Sequence, residues 1–137
     1  MECLEQLLKV IVISELRYVE GAINTKAPLM RIFMEQCAIE RSNFILNVWH
    51  VALKQNQKTT LSDLYNWHNQ LYGKDYLHMQ IGLNLNIDVL DRKALEICRF
   101  MLQMNLPDEL TAILTEQSIK IETSLLALVQ IRSLSEN

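Results

Sequence analysis

Two carboxylates stand where a helix should be apolar. Glu15 projects from the middle of the stripe Leu4, Leu7, Leu8, Ile11, Tyr18, Val19 and Ala22, and Glu40 interrupts a second stripe, Leu29, Ile32, Phe33, Cys37, Phe44, Val48 and Val51. Inward carboxylates on neighbouring helices are what a bundle uses to build a dimetal centre. That centre takes a Glu from each of two helices and a Glu-x-x-His from each of the other two. The i, i+3 spacing matters because it stacks both ligands on one face, a turn apart. Here the histidines are missing. Glu40 is followed at that offset by Asn43, Glu116 by Ile119 and Glu122 by Leu125, and the sole acidic-x-x-His is Asp75-Tyr76-Leu77-His78, in a loop-like stretch. Carboxylates alone favour hard cations such as Mn²⁺ or Mg²⁺ over zinc. The competing reading is a set of hydrogen-bonded polar residues inside a bundle, since a buried carboxylate demands partners.

Other chemistry finds little support. His50, His68 and His78 pair with no Cys or second His at ligand spacing, and His50 and His68 each follow a Trp. No GxSxG elbow, phosphate loop or GxGxxG is present, and three glycines could not build one. Cys3, Cys37 and Cys98 are odd in number and irregularly spaced, with no CxxC, so they read as reduced thiols of a cytoplasmic protein. Glu2 and Glu5 stand where a signal peptide would be basic, and the most apolar run, Val10 to Ile13, is far short of the ~20 residues that span a bilayer. A net charge of −3 argues against nucleic acid and anionic membranes as partners.

The elements that must position these residues are helices. Half the chain is hydrophobic and only 3 Gly and 2 Pro are present, too few for the turns of an all-β fold. At ~100° per residue the first stripe makes an amphipathic helix from about Glu2 to Thr25. Pro28 suits the first turn of a second helix, which runs to about Gln55. Thr60 or Ser62 can cap a short helix over about Leu61–Tyr72, ended by Gly73. The stretch Leu83 to Val89 alternates like a strand, but a strand without a partner makes no sheet, so Tyr76–Leu90 reads as a helical or extended crossover. Asp88 can cap a helix to about Met104, with Asp91 in its first turn. Asp108, after Leu106-Pro107, caps the last helix, with stripe Leu110, Ile113, Leu114, Ile121, Leu125, Leu128 and Ile131. Gln117 and Ser124 sit inside that stripe. No repeat or linker divides residues 1–137, so the expectation is one all-α domain, a four-helix bundle with a broken, irregular middle connection.

The second helix is apolar on more than one side. Met34, Ile45 and Trp49 share the face away from its main stripe and predict an association surface, most simply in a symmetric dimer. The competing reading buries them beneath the broken middle section.

One resemblance follows from these residues. Leu29-Met30-Arg31-Ile32-Phe33, then Ala38-Ile39-Glu40-Arg41-Ser42-Asn43-Phe44, resembles the second helix of a family of bacterial ferritin-like four-helix domains. Tyr18, Trp67, Asp91, Leu106-Pro107, Gln117 and Ile131-Arg132 match further positions of that family. Its histidines are replaced by Leu64 and Leu125, and its Gly-Glu by Leu90-Asp91. The resemblance implies a ferritin-like bundle more firmly than an activity. The leading expectation is a non-catalytic bundle, without a cofactor, that self-associates or binds proteins. The alternative is a metal-binding storage protein or oxidase using Glu15, Glu40 and Asp91. A third is a small apolar ligand held between the helices.

Overall fold

The computed structural model describes residues 2–55, 66 and 87–135, and these are helical apart from two short connections. Four helices account for them: α1 (Glu2–Asn24), α2 (Pro28–Gln55), α3 (Ile87–Leu102) and α4 (Asp108–Ser135). No strand occurs among the described residues. The short helix expected over Leu61–Tyr72 and most of the crossover expected over Tyr76–Leu90 lie outside them, as do Trp67, His68 and His78.

Local chemistry explains the boundaries. Between α1 and α2, the Thr25 hydroxyl accepts a hydrogen bond from the Ala27 N–H, and Pro28 opens α2 where a missing N–H costs nothing. The Ala27 and Pro107 carbonyls accept the first bonds of α2 and α4. Asp88 lies inside the first turn of α3, which begins at Ile87 and not after an Asp88 cap. Its carboxylate is held by Arg132 of α4 at 3.0 Å.

Around the bundle the order is α1, α2, α4, α3, so α1 faces α4 and α2 faces α3 across the centre. Short connections make α1–α2 and α3–α4 antiparallel. Tyr18, near the end of α1, meets Asp91, near the start of α3, which makes that pair antiparallel too. Cys37 near the start of α2 meets Ser124 well along α4, and the same holds there. It follows that α2 and α3 run in one direction. Gly21 of α1 leaves room for the Met34 side chain of α2, because a Cβ there would strike the Met34 sulfur.

The core has two parts. The larger packs Leu7, Ile11, Phe44, Cys98, Leu114 and Ile121, and the smaller packs Tyr18, Ala22, Met30, Met34 and Leu128. The second side of α2 therefore needs correction. Met34 and Ile45 are interior residues and do not form an exposed face. Trp49 is half-buried. Leu29 and Ile32, read as core, are exposed instead. The reason is one buried position that composition hides: Met34, Cys37, Ala38, Arg41, Phe44, Ile45 and Val48 form a single broad inward band with Arg41 at its middle.

Candidate functional site

Four polar side chains from three helices meet at the centre of the bundle. Ser14 and Tyr18 lie one turn apart on the inward stripe of α1. Arg41 comes from α2, and Asp91 comes from the first two turns of α3 on the far side of the bundle axis. All four are completely buried. Asp91 accepts from all three partners: the Ser14 hydroxyl at 2.8 Å on Oδ1, and the Tyr18 hydroxyl at 2.5 Å and Arg41 Nη2 at 3.0 Å on Oδ2. The Arg41 guanidinium also lies over the Tyr18 ring, 5.4 Å from its centroid, and Phe33 packs edge-on against the same ring. Cation, ring and carboxylate thus hold one another in a fixed stack.

The electrostatics follow from this closure. Burial raises the Tyr18 pKa far above the ordinary phenol value, and the adjoining Asp91 charge adds to it, so the hydroxyl stays a neutral donor. Burial works against the charge on Arg41, but Asp91 and Tyr18 more than offset it and its pKa rises. Arg41 Nε and Nη1 make no hydrogen bond among the described residues, and neither does the buried Gln117 Nε2. The other carboxylate beside Arg41 is Glu40, 3.7 Å from Nη1 and partly exposed.

Two thiols flank this centre. Cys37 donates to the Ser124 hydroxyl at 3.5 Å, and burial raises its pKa. Burial also pushes the Cys98 thiol up to about 11, against the pull of its bond with Ser118 and of the Arg41 charge. Thiols held protonated in this way are poor nucleophiles and poor metal ligands.

The expected metal residues do not assemble. No group of three or more His, Cys, Asp and Glu side chains placed to hold a metal ion occurs among the described residues. Asp91 is committed to Ser14, Tyr18 and Arg41. Glu40 faces outward into a groove of about 340 Å³ between α2 and α4, lined also by Phe33, Cys37, Lys120 and Ser124. Glu15 is half-buried, and burial raises its carboxyl pKa above the usual range. Where a dimetal bundle would place carboxylates around a cation, this chain places the cation itself, as the Arg41 guanidinium.

Tyr18, Asp91 and Gln117 were visible in the sequence as inward or matched positions. Ser14 carries no such mark, and Arg41 enters only within the Ala38–Phe44 segment of the resemblance. The signal was present, since Ser14 stands three residues after Ile11 and four before Tyr18, and Arg41 stands four after Cys37 and three before Phe44. Helical spacing put both on the apolar stripe; residue type argued them off it.

The outer surface carries the opposite anomaly. Ile32, Ile39 and Leu46 repeat every seven residues on the outside of α2, and Ile39 is 61% exposed. Beside them Val19 and Ile23 of α1, with Arg31, Glu35 and Ile39, border a shallow groove of about 550 Å³. Among the described residues no helix is long and apolar enough to cross a membrane. Compared with protein-family models, curated proteins and solved structures, the chain matches none.

Proposed function

We propose that this protein is a non-catalytic helical module of ferritin-like architecture that acts through protein contacts on its surface. The observation that carries the reading is the heptad row Ile32, Ile39 and Leu46, three large aliphatic side chains in solvent on one face of one helix. Isolated exposed aliphatics need no explanation, but an aligned set beside a groove marks an association surface. The ferritin-like part is supported by the parallel run of α2 and α3, the one-crossover arrangement of that class of bundle. The non-catalytic part is supported by Asp91, whose two oxygens are both taken by neighbours inside a closed core.

The test is the variant Ile32→Ser, Ile39→Ser and Leu46→Ser together. If the row exists for contacts, this variant keeps the helical far-UV spectrum and melts within a few degrees of the parent. Loss of the fold would make the row part of the core and defeat the reading. A carboxylate metal site predicts something else: stoichiometric uptake of Mn²⁺ and a melting temperature that falls on chelation. Either result would favour the metal-binding alternative.

A further inference from the structure

We infer that the groove between α2 and α4 is a binding site for a small zwitterion, a molecule of amino-acid size that carries an ammonium and a carboxylate on an apolar body. This goes beyond the contact reading and concerns a different face of α2.

The register of the two helices sets opposite charges across the groove. Cys37 of α2 bonds to Ser124 of the antiparallel α4, so each step forward along α2 is a step back along α4. Glu40 and Arg41 therefore lie level with Ile121 and Lys120. Glu40 and Lys120 both line the groove, yet they make no ion pair with each other. Lys120 is tied to Glu116 of its own helix at 3.0 Å, an exposed pair of the kind that is worth little. Glu40 approaches only Arg41 Nη1, at 3.7 Å, too far for a hydrogen bond. An anion and a cation thus face one space without neutralising each other.

The rest of the groove narrows the ligand. Its floor is satisfied internally, because the Cys37 thiol donates to the Ser124 hydroxyl, which donates to the Lys120 carbonyl at 2.8 Å. Its apolar walls include Ile119 and the Phe33 ring, which edge-on contact with Tyr18 holds in place. Behind the α2 wall stands the open side of Arg41. Nη2 is spent on Asp91, while Nε and Nη1, the latter on the side of Glu40, are buried with no acceptor. Buried donors left open in this way are rare. The Arg41 charge is felt at Cys37 on the groove floor. It adds to that of Lys120 at the same level, which favours a carboxylate there, and Glu40 takes the ammonium. A bare anion would leave Glu40 unmet, a simple amine would leave Lys120 unmet, and a metal ion would find a single carboxylate. The volume, about 340 Å³, is at the low end of the roughly 300–1,000 Å³ of ligand pockets and suits a molecule of amino-acid size.

An amide NMR titration of the full chain with L-phenylalanine tests this. The shifts should saturate and be largest around Glu40 and Lys120. Hydrocinnamate and phenethylamine keep the ring and one charge each, and both should bind at least about tenfold more weakly. Glu40→Gln should weaken L-phenylalanine at least about tenfold and leave hydrocinnamate unchanged. Lys120→Met should weaken L-phenylalanine as much and leave phenethylamine unchanged. Both side chains are partly exposed, so neither variant threatens the fold. None of Ile32, Ile39 and Leu46 lines the groove, so this inference and the contact reading fail separately. Three results would overturn the inference: a titration that does not saturate, a singly charged analogue that binds as tightly as the amino acid, or parent affinity for L-phenylalanine in either variant.

Discussion

Two residues apart on α2, and about 200° around it, lie Ile39 and Arg41. The isoleucine stands in solvent with Ile32 and Leu46 aligned beside it, while the arginine is wholly buried against Asp91. Each choice is expensive on its own. An exposed Ile forgoes about 1.5–3 kcal/mol of burial, and a buried ion costs several kcal/mol even after relaxation. The comparison teaches that partners, more than side-chain type, decide which face of this helix is inside. Arg41 is tolerated in the core because Asp91, Tyr18 and Ser14 meet it there. Ile39, on the other side of the same helix, has none of these partners and stands exposed.

The largest effect should come from stranding the buried cation. Asp91→Ala leaves Arg41 inside without its carboxylate and should cost about 3–5 kcal/mol in urea unfolding. Replacing the whole set, Arg41→Met with Asp91→Leu, Tyr18→Phe and Ser14→Ala, should recover most of that loss, since it strands neither a charge nor a hydroxyl and well-packed apolar residues often replace such pairs at no cost. If this variant stays as weak as Asp91→Ala alone, the centre does more than fill space.

A smaller loss is expected from Tyr18→Phe, which keeps the ring under Arg41 and beside Phe33 and removes the hydroxyl that donates to Asp91. About 1.5–3 kcal/mol should disappear, the usual worth of a hydrogen bond to a charged group. A loss as great as that of Asp91→Ala would mean that the hydroxyl, and not the cation, anchors the carboxylate.

The smallest effect concerns Glu15. Burial raises its folded pKa above the unfolded value, so the folded chain keeps that proton to higher pH. Its contribution to stability is therefore full in acid and falls as pH rises from the ordinary carboxyl range through the folded value. Glu15→Gln removes the titration. The variant should be more stable than the parent at pH 7 and equal to it in acid. Equal stability at both pH values would place Glu15 in a solvated setting.

Much of the fold could be read from the chain. The α4 stripe, with Gln117 and Ser124 as its polar insertions, is buried or half-buried throughout, whereas the α1 stripe includes the exposed Val19 and leaves out the buried Val12, Ser14 and Leu16. The face of α2 could not be read, because its inward band is interrupted at the middle by Arg41. A periodicity judged on hydrophobic residues alone splits there into two stripes. It then buries Leu29 and Ile32 and exposes Met34 and Ile45, and the structure does the reverse. The Ser14–Tyr18–Arg41–Asp91 cluster was legible only in part. Its members lie 23 to 77 positions apart where they come from different helices, and helical spacing within one segment cannot report which side chain waits on another.

The most direct test sets the two faces of α2 side by side. Urea unfolding of Arg41→Ala and of Ile39→Lys is measured at protein concentrations low enough that every chain is a monomer. The account predicts that Arg41→Ala loses several kcal/mol, because it leaves Asp91 buried with two hydroxyl partners and no cation. Ile39→Lys should change stability by less than about 0.5 kcal/mol, as expected of a surface position. A chain that tolerates Arg41→Ala but unfolds with Ile39→Lys would contradict it.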